Sequence, residues 1–219
     1  MNKLRTFIGG LLVSIGLVVL FIFGTGGLDS QAKAEEQRET ITQLETQWAT
    51  PTPSPVVATP KAVDPALDQL ETLAHGASFA TIRIPSLGAD WKKTIMQGTT
   101  PDILDTMEIG HYKSTENPGQ LGNFALAGHN NTQGTVFDRV PDLKVGDEVI
   151  IETANAVYTY TFRSSEIVSP DKNSVLLPVP WKNGQAPTEA ILTLTTCWPV
   201  DSWDQRWISY AVLKSAVAK

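Results

Sequence analysis

The chain has 219 residues, of which 42% are hydrophobic and 18% are charged, the composition of an ordinary globular protein. Its 17 basic and 23 acidic side chains give a formal net charge of -6 without any basic run, which argues against a nucleic-acid partner. One cysteine and three histidines cannot form a usual four-ligand zinc site or an internal disulfide, so we expect neither a metal nor a cofactor.

The N-terminus predicts a membrane anchor. Residues 6–28 carry no charge, and they are long enough to cross a bilayer core of about 30 Å as a helix. Lys3 and Arg5 should keep residues 1–5 in the cytoplasm, so the rest of this single-pass chain would lie outside the cell membrane. The alternative is a cleaved secretory signal, since residues 32–34 read Ala-Lys-Ala, but the uncharged run exceeds a typical signal core of about 7–15 residues.

Residues 29–77 predict an extracytoplasmic spacer. Residues 29–48 are rich in Ala, Glu and Gln and indicate a polar helix. Residues 49–65 hold five prolines, which favour an extended linker. Residues 66–74 carry three leucines at helical spacing and predict a short helix packed on the domain that follows.

Residues 78–219 predict a mainly β domain. The hairpin around Ala154-Asn155 shows a period of two, because Tyr158, Tyr160 and Phe162 share one strand face. Residues 99–112 are the one good helix candidate within this domain. Antiparallel strands at this spacing indicate a barrel or a sandwich. The predicted strands are 79–87, 91–96, 123–129, 145–153, 156–168, 190–197 and 206–213.

The single cysteine ends an apolar strand in a chain that we expect to be exported. Pro199 makes it unfavourable for the Cys197 strand to continue as a central one. An isolated cysteine is most often a small buried hydrophobe. A spare thiol is a liability outside the cell, however, so the pattern favours a nucleophile held at the rigid end of a strand.

A thiol nucleophile needs a group that carries protons. His129 is the best candidate because it directly follows a predicted strand. His111 is its rival, and its alternative interpretation is a half-buried histidine in a loop, bonded to backbone. His75 lies near the linker, where we expect it to be solvated.

Arg206 opens the strand that should pair with the cysteine strand. A hairpin would bring Arg206 and Cys197 to one end of the sheet, where a guanidinium could stabilise an oxyanion. The alternative is a surface ion pair of Arg206 with Asp201 or Asp204.

Three motifs together resemble the sortases, exported cysteine transpeptidases of mainly Gram-positive bacteria. They are "TLTTC" at 193–197, "ALAGHN" at 125–130 and "QR" at 205–206, and the resemblance extends over about residues 80–213. It implies a closed β-barrel of about eight strands with short helices. It also implies that Cys197 is the nucleophile, His129 the general acid and base, and Arg206 the group that stabilises the oxyanion or the substrate.

The pattern over residues 110–129 looks most like sortases of classes D and E. Those groups usually have Gly-His-Arg and then a hydroxyl residue where residues 128–131 here read Gly-His-Asn-Asn. Thr196 matches a family threonine implicated in substrate binding or oxyanion support. We expect Trp198 and Trp203, which follow the cysteine, to shape the choice of substrate.

The resemblance implies a hydrolase-type cysteine endopeptidase and transpeptidase acting on secreted proteins that bear a C-terminal sorting motif. It would cut an LPxTG-like motif after its threonine, form a thioester and pass the acyl group to an amine. Residues 64–66 lack the Asp-Pro-aromatic element of pilin-building sortases, which favours a cell-wall precursor over a pilin lysine as acceptor.

Two other functions stay open from the sequence. An L,D-transpeptidase is also exported and mainly β, but its cysteine lies in a Ser-His-Gly-Cys-type context that this chain lacks. Papain-like peptidases have the reverse order of cysteine and histidine. The second alternative is a non-catalytic anchored β-barrel that binds a wall component or a peptide.

Overall fold

The computed structural model describes residues 32–48, 73–130 and 135–219. The predicted anchor at 6–28, the proline-rich linker at 49–65 and most of the predicted helix at 66–74 lie outside these residues. Helix α1 spans 32–48, within the polar helix predicted over 29–48. Among the described residues, no helix combines the length and the apolar character needed to cross a membrane. The chain divides into two units between Glu39 and Thr40, and the second unit holds the β domain.

Eight strands form a closed barrel, which confirms the predicted fold. Their order around the barrel is β1-β2-β3-β4-β7-β8-β6-β5, and β5 closes the barrel by pairing with β1. The strands are β1 Ser78–Arg83, β2 Lys92–Gln97, β3 Ile109–His111, β4 Gly122–Ala127, β5 Glu148–Thr153, β6 Ala156–Val168, β7 Ala190–Trp198 and β8 Gln205–Ala218. Short 3-10 turns lie at Pro85–Leu87, Val140–Asp142 and Asn173–Leu176.

The expectation that all strands are antiparallel is wrong for two pairs. β2 pairs with β3 in parallel, and β4 pairs with β7 in parallel. Parallel neighbours need a crossover connection. Helix α2, Pro101–Leu104, lies in the first crossover, and the whole β5–β6 hairpin lies in the second.

The predicted helix over 99–112 is wrong beyond the four residues of α2. Met107 has a left-handed backbone with φ of 66°, which ends helical geometry before β3. Gly110 then lets β3 pack tightly, because a side chain there would collide with the carbonyl oxygen of Gly98. The segment 99–112, whose apolar residues have helical spacing, thus forms one turn of helix and a short strand.

The core follows the predicted alternation of β6. Tyr158 and Tyr160 are fully buried, and Phe162 is almost so. The Tyr160 hydroxyl accepts a hydrogen bond from the backbone N–H of Gly119 at 2.7 Å. Burial raises the pKa of Tyr160 well above its usual value, so this phenol stays neutral and structural.

Both faces of β4 and most of β7 are buried. The connection after β6 covers the outer face, where the Asn123 side chain donates to the carbonyls of Val175 at 2.9 Å and Leu177 at 3.2 Å. The buried amide group of Asn123 is thereby satisfied. These two strands therefore form a rigid, fully packed pair.

His111 belongs to this packed framework, which corrects its interpretation as a half-buried loop residue. It ends β3, is 1% exposed and has its Nδ1 2.6 Å from Gln97 Oε1. Its Nε2 lies 3.2 Å from both the Thr115 hydroxyl and the Glu116 carbonyl. Burial is the main cause that lowers the pKa of His111 from 6.5 to about 4, so the ring is neutral at physiological pH.

Leu192→Ala should lower the free energy of unfolding by about 2 to 5 kcal/mol, because it removes a fully buried side chain from β7 and leaves a cavity. Val145→Ala is the matched control, since Val145 is 78% exposed and its loss should cost less than about 0.5 kcal/mol. Urea unfolding followed by tryptophan fluorescence measures both. Equal losses would contradict the burial described for β7.

His111 should make the fold sensitive to acid. The His111 ring has a pKa of 6.5 in the unfolded chain and of about 4 in the folded chain. As the pH falls from 6.5 to 4, the unfolded state therefore binds a proton that the folded state does not. The free energy of unfolding falls through this pH window as a result. The loss between pH 7.5 and 4.5 should be about 2 to 3 kcal/mol smaller in His111→Gln than in the parent protein. Urea unfolding at both pH values tests this, and equal losses in the two proteins would contradict it.

Candidate active site

The cysteine and the arginine face each other across two strands. In the antiparallel pair of β7 and β8, Cys197 lies directly opposite Arg206. The loop of residues 199–204 joins the two strand ends, as predicted from the sequence. Residues directly opposite each other in such a pair have neighbouring side chains, so the hairpin brings these two groups to one end of the barrel.

The histidine reaches the same end through the parallel pairing of β4 with β7. Ala127 is in register with Thr195, so the residues just beyond each strand share one edge of the sheet. The Gly128 N–H donates to the Thr195 carbonyl at 3.1 Å, and the Phe137 N–H donates to the His129 carbonyl at 2.8 Å. The backbone of His129 is therefore fixed on both sides.

Two side-chain hydrogen bonds tie the histidine segment to the cysteine strand. The Thr196 hydroxyl donates to the Gly128 carbonyl at 2.8 Å. The Asn130 amide donates to the carbonyl of Cys197 itself. On its other side Gly128 leaves room for Phe137, since a side chain there would lie 2.7 Å from the Phe137 ring. The asparagine that departs from the usual class D and E pattern thus takes part in the geometry of the site.

A cleft of about 320 Å³ contains all three predicted catalytic side chains. Cys197 and Arg206 are half-buried, and the side chain of His129 is 20% exposed, so each can be reached by a substrate. Other groups that line the cleft are Leu104, Tyr112, Thr195, Thr196 and Trp203. The Tyr112 hydroxyl lies 3.1 Å from the Thr195 hydroxyl, which links the residue after β3 to β7 within the cleft.

Arg206 is held by backbone oxygens. Its Nη1 donates to the Trp203 carbonyl at 3.1 Å and to the Gln205 carbonyl at 2.9 Å. In the part of the chain that the structure describes, it forms no ion pair with Asp201 or Asp204, the alternative that its sequence position left open. A guanidinium has five N–H groups, so donors remain for a ligand in the cleft.

The two tryptophans of the hairpin occupy different places. Trp203 is 70% exposed and lines the cleft. Trp198 packs against Trp207 in a tilted arrangement, with ring centroids 5.0 Å apart and 50° between the ring planes, and it is absent from the cleft lining among the described residues. Only one of the two predicted specificity residues therefore stands beside the three central groups.

One residue of the site was missed by the sequence analysis. The carboxylate of Asp105 lies 2.9 Å from His129 Nε2. Asp105 falls within the segment predicted to be a continuous helix, and no motif singled it out. The other two histidines lie elsewhere: His111 is in the core, and His75 is 43% exposed with its Nε2 2.9 Å from Asp102. Residues 32–48, 73–130 and 135–219 contain no His, Cys, Asp and Glu cluster suited to a metal.

Sequence comparisons identify relatives over the whole barrel. A family model for the sortase domain matches residues 82–214. The chain is 37% identical over 131 residues to Sortase SrtE1 of Streptomyces coelicolor. This alignment covers 57% of this chain and 37% of the relative. It is 28% identical over 203 residues to Sortase D of Bacillus subtilis, in an alignment that covers 91% of this chain and 93% of the relative.

Solved structures show the same architecture. Sortase E from Streptomyces avermitilis has a TM-score of 0.60 at 37% identity, covering 67% of this chain and 93% of that one. The SrtA sortase from Actinomyces oris has a TM-score of 0.63 at 35% identity, covering 67% of this chain and 85% of that one. With more than half of its length matched by the family model, the chain belongs to the sortase family and is similar to its class D and class E members.

Proposed function

We propose that this protein is a membrane-anchored cysteine transpeptidase that cleaves an LPxTG-like sorting motif after its threonine and transfers the acyl part to an amine. The observation that carries the proposal is the convergence of Cys197, His129 and Arg206 in one cleft at the ends of three strands. A thiol, a proton carrier and a fixed cation are the groups that acyl transfer through a thioester requires. Family membership favours this function over that of an L,D-transpeptidase.

Acylation begins with attack by the Cys197 thiolate on the carbonyl carbon of the motif threonine. The positive charges of the protonated His129 ring and of Arg206 stabilise the thiolate. A bond forms between sulfur and carbon, and the electron pair of the carbonyl moves to oxygen. When the tetrahedral intermediate collapses, the C–N bond breaks and His129 gives its proton to the leaving amine. The product is a thioester on Cys197.

Deacylation reverses these roles. The neutral His129 ring takes a proton from the incoming amine, which attacks the thioester carbon. The C–S bond breaks, a new amide forms, and the thiolate and the protonated ring are restored. Water in place of the amine would give hydrolysis, the endopeptidase outcome. A cell-wall precursor is the proposed acceptor, because residues 64–66 lack the aromatic lid element of pilin-building sortases.

Arg206 stabilises the negative oxygen of the tetrahedral intermediate in this proposal. Its two hydrogen bonds to the carbonyls of Trp203 and Gln205 fix the guanidinium before substrate arrives. A donor that is already oriented needs no rearrangement as charge develops, which is the basis of oxyanion stabilisation. Thr196 has a different role, because its hydroxyl hydrogen is used in the bond to the Gly128 carbonyl. We assign it to holding the histidine segment against the cysteine strand.

Trp203 is the proposed contact for the apolar part of the sorting motif. An indole that is 70% exposed beside the nucleophile offers a large apolar surface to a peptide, and aromatic anchors contribute strongly to recognition. Trp198 packs against Trp207, so we assign it a supporting role in the hairpin.

The proposed location of the enzyme rests on the sequence alone. The uncharged run at 6–28 and the preceding Lys3 and Arg5 support an anchor in the cell membrane with the barrel outside. Secreted proteins with a C-terminal sorting motif and lipid-linked acceptors both reach that surface. A tether there raises the effective concentration of enzyme near both partners.

A soluble portion, residues 66–219, should form a covalent adduct with an LPxTG-like peptide. Mass spectrometry should place the acyl group on Cys197, and hydroxylamine should release it because a thioester is labile to this nucleophile. Cys197→Ala should fold with an unchanged thermal transition and form no adduct. Failure of a panel of such peptides to acylate the parent protein would count against the enzyme and favour a barrel that only binds wall components or peptides.

Arg206→Lys should lower kcat/KM for peptide cleavage by about 10²–10³-fold, the usual cost of losing one oriented oxyanion donor. Lysine keeps the charge but cannot present the planar set of N–H groups. Arg163→Lys is the matched control, since Arg163 pairs with Glu189 at 3.0 Å and lies outside the cleft lining. Steady-state kinetics of both variants test the role of Arg206 in stabilising the oxyanion. Equal losses of kcat/KM in the two variants would refute this role.

A further inference from the structure

A carboxylate stands beside the imidazole of His129. Asp105 Oδ1 lies 2.9 Å from His129 Nε2, with the aspartate side chain 55% exposed and the histidine 20% exposed. Asp105 caps the C-terminus of α2, and its backbone N–H donates to the Pro101 carbonyl at 2.9 Å. The preceding residue, Leu104, lines the cleft. The crossover between β2 and β3 therefore delivers a charged side chain to the edge of the site.

We infer that Asp105 is a positioning residue that fixes the tautomer and the orientation of His129. A carboxylate only accepts hydrogen bonds, so Nε2 carries a hydrogen in both the neutral and the charged ring. The neutral ring has a single N–H, and its free electron pair is then on Nδ1. Nδ1 is therefore the atom that gives a proton to the leaving amine and takes one from the acceptor. This inference rests on the proposed function.

The carboxylate of Asp105 also lies against the ring while it is charged, before the leaving amine takes its proton and after the incoming amine has given one up. A carboxylate in contact with an imidazolium lowers the free energy of the charged pair. Solvent screens a carboxylate that is 55% exposed, so the electrostatic gain is modest and orientation is the larger part of the effect. The expected loss on its removal is accordingly about 10-fold, at the lower end of the range known for partners that orient metal-bound histidines.

The chain contains a second pair with the same chemistry. Asp102 lies on the same helix, with its Oδ2 2.9 Å from His75 Nε2, and neither residue lines the cleft. Asp102 lies within α2 and Asp105 caps it; both carboxylates lie 2.9 Å from a histidine nitrogen, and both side chains are more than half exposed. Asp102 is therefore a matched control for any general effect of neutralising an acidic side chain on α2.

The test compares Asp105→Asn, Asp105→Glu and Asp102→Asn in steady-state kinetics with an LPxTG-like peptide and a fixed amine acceptor. Asp105→Asn should lower kcat about 10-fold and change KM less than twofold, because it disturbs proton transfer and not peptide binding. The amide can donate to Nε2 and so favours the wrong tautomer. Asp105→Glu should recover part of kcat, and Asp102→Asn should match the parent protein.

A double-substitution cycle separates positioning from a structural effect. With His129→Ala already present, Asp105→Asn should cause no further loss in the rate of acyl-adduct formation, which mass spectrometry follows over hours. Unchanged or increased kcat in Asp105→Asn would overturn the inference, as would a 10-fold loss that persists without the imidazole. If the parent protein forms no adduct, or if His129→Ala is fully active, the proposed function falls together with this inference. An active parent protein, an impaired His129→Ala and a normal Asp105→Asn would overturn the inference alone.

Discussion

The parallel pairing of β4 with β7 is the constraint on which the site depends. Six register pairs, from Gly122 with Ala190 to Ala127 with Thr195, align two strands that lie almost seventy residues apart in the chain. Because the strands run in the same direction, the residues that follow them emerge at the same edge of the barrel. A shift of one residue would turn every side chain of one strand to the opposite face. The relative positions of His129 and Cys197 are thus decided by strand register.

Hydroxyl groups of β7 hold this register. Thr193 donates to the Asn123 side-chain oxygen at 2.6 Å, Thr195 donates to the Leu126 carbonyl at 3.2 Å, and Thr196 donates to the Gly128 carbonyl at 2.8 Å. All of these bonds are buried, where a lost partner leaves a costly unpaired polar group. The threonines of the "TLTTC" motif therefore have a physical role that hydrophobic pattern alone does not reveal. They bind the cysteine strand to the strand that ends at the histidine.

Strand content and the central residues could be predicted from the sequence, whereas strand pairing could not. Alternation identified β6, and the position of Cys197, His129 and Arg206 at strand ends predicted three side chains that the structure brings into one cleft. The pairing of β4 with β7 depends on packing between distant segments, which local periodicity does not encode. The helix predicted over 99–112 was wrong for a similar reason. The left-handed backbone of Met107 and the close approach of Gly110 to the Gly98 carbonyl override the helical spacing of this segment. Asp105 lay in that misassigned segment, so its contact with His129 could not be anticipated.

The proposed roles in chemistry and in substrate choice are divided between strands and a loop of this barrel. Cys197 and Arg206 are cross-strand partners, so their separation is set by the backbone ladder. Trp203 lies in the loop between them, where its exposed ring is free of that ladder. The two parts are still coupled, because Arg206 donates to the Trp203 carbonyl at 3.1 Å. A loop change that keeps this carbonyl in place can alter the surface offered to a peptide without moving the nucleophile, whereas one that displaces it also disturbs the cation beside the thiol.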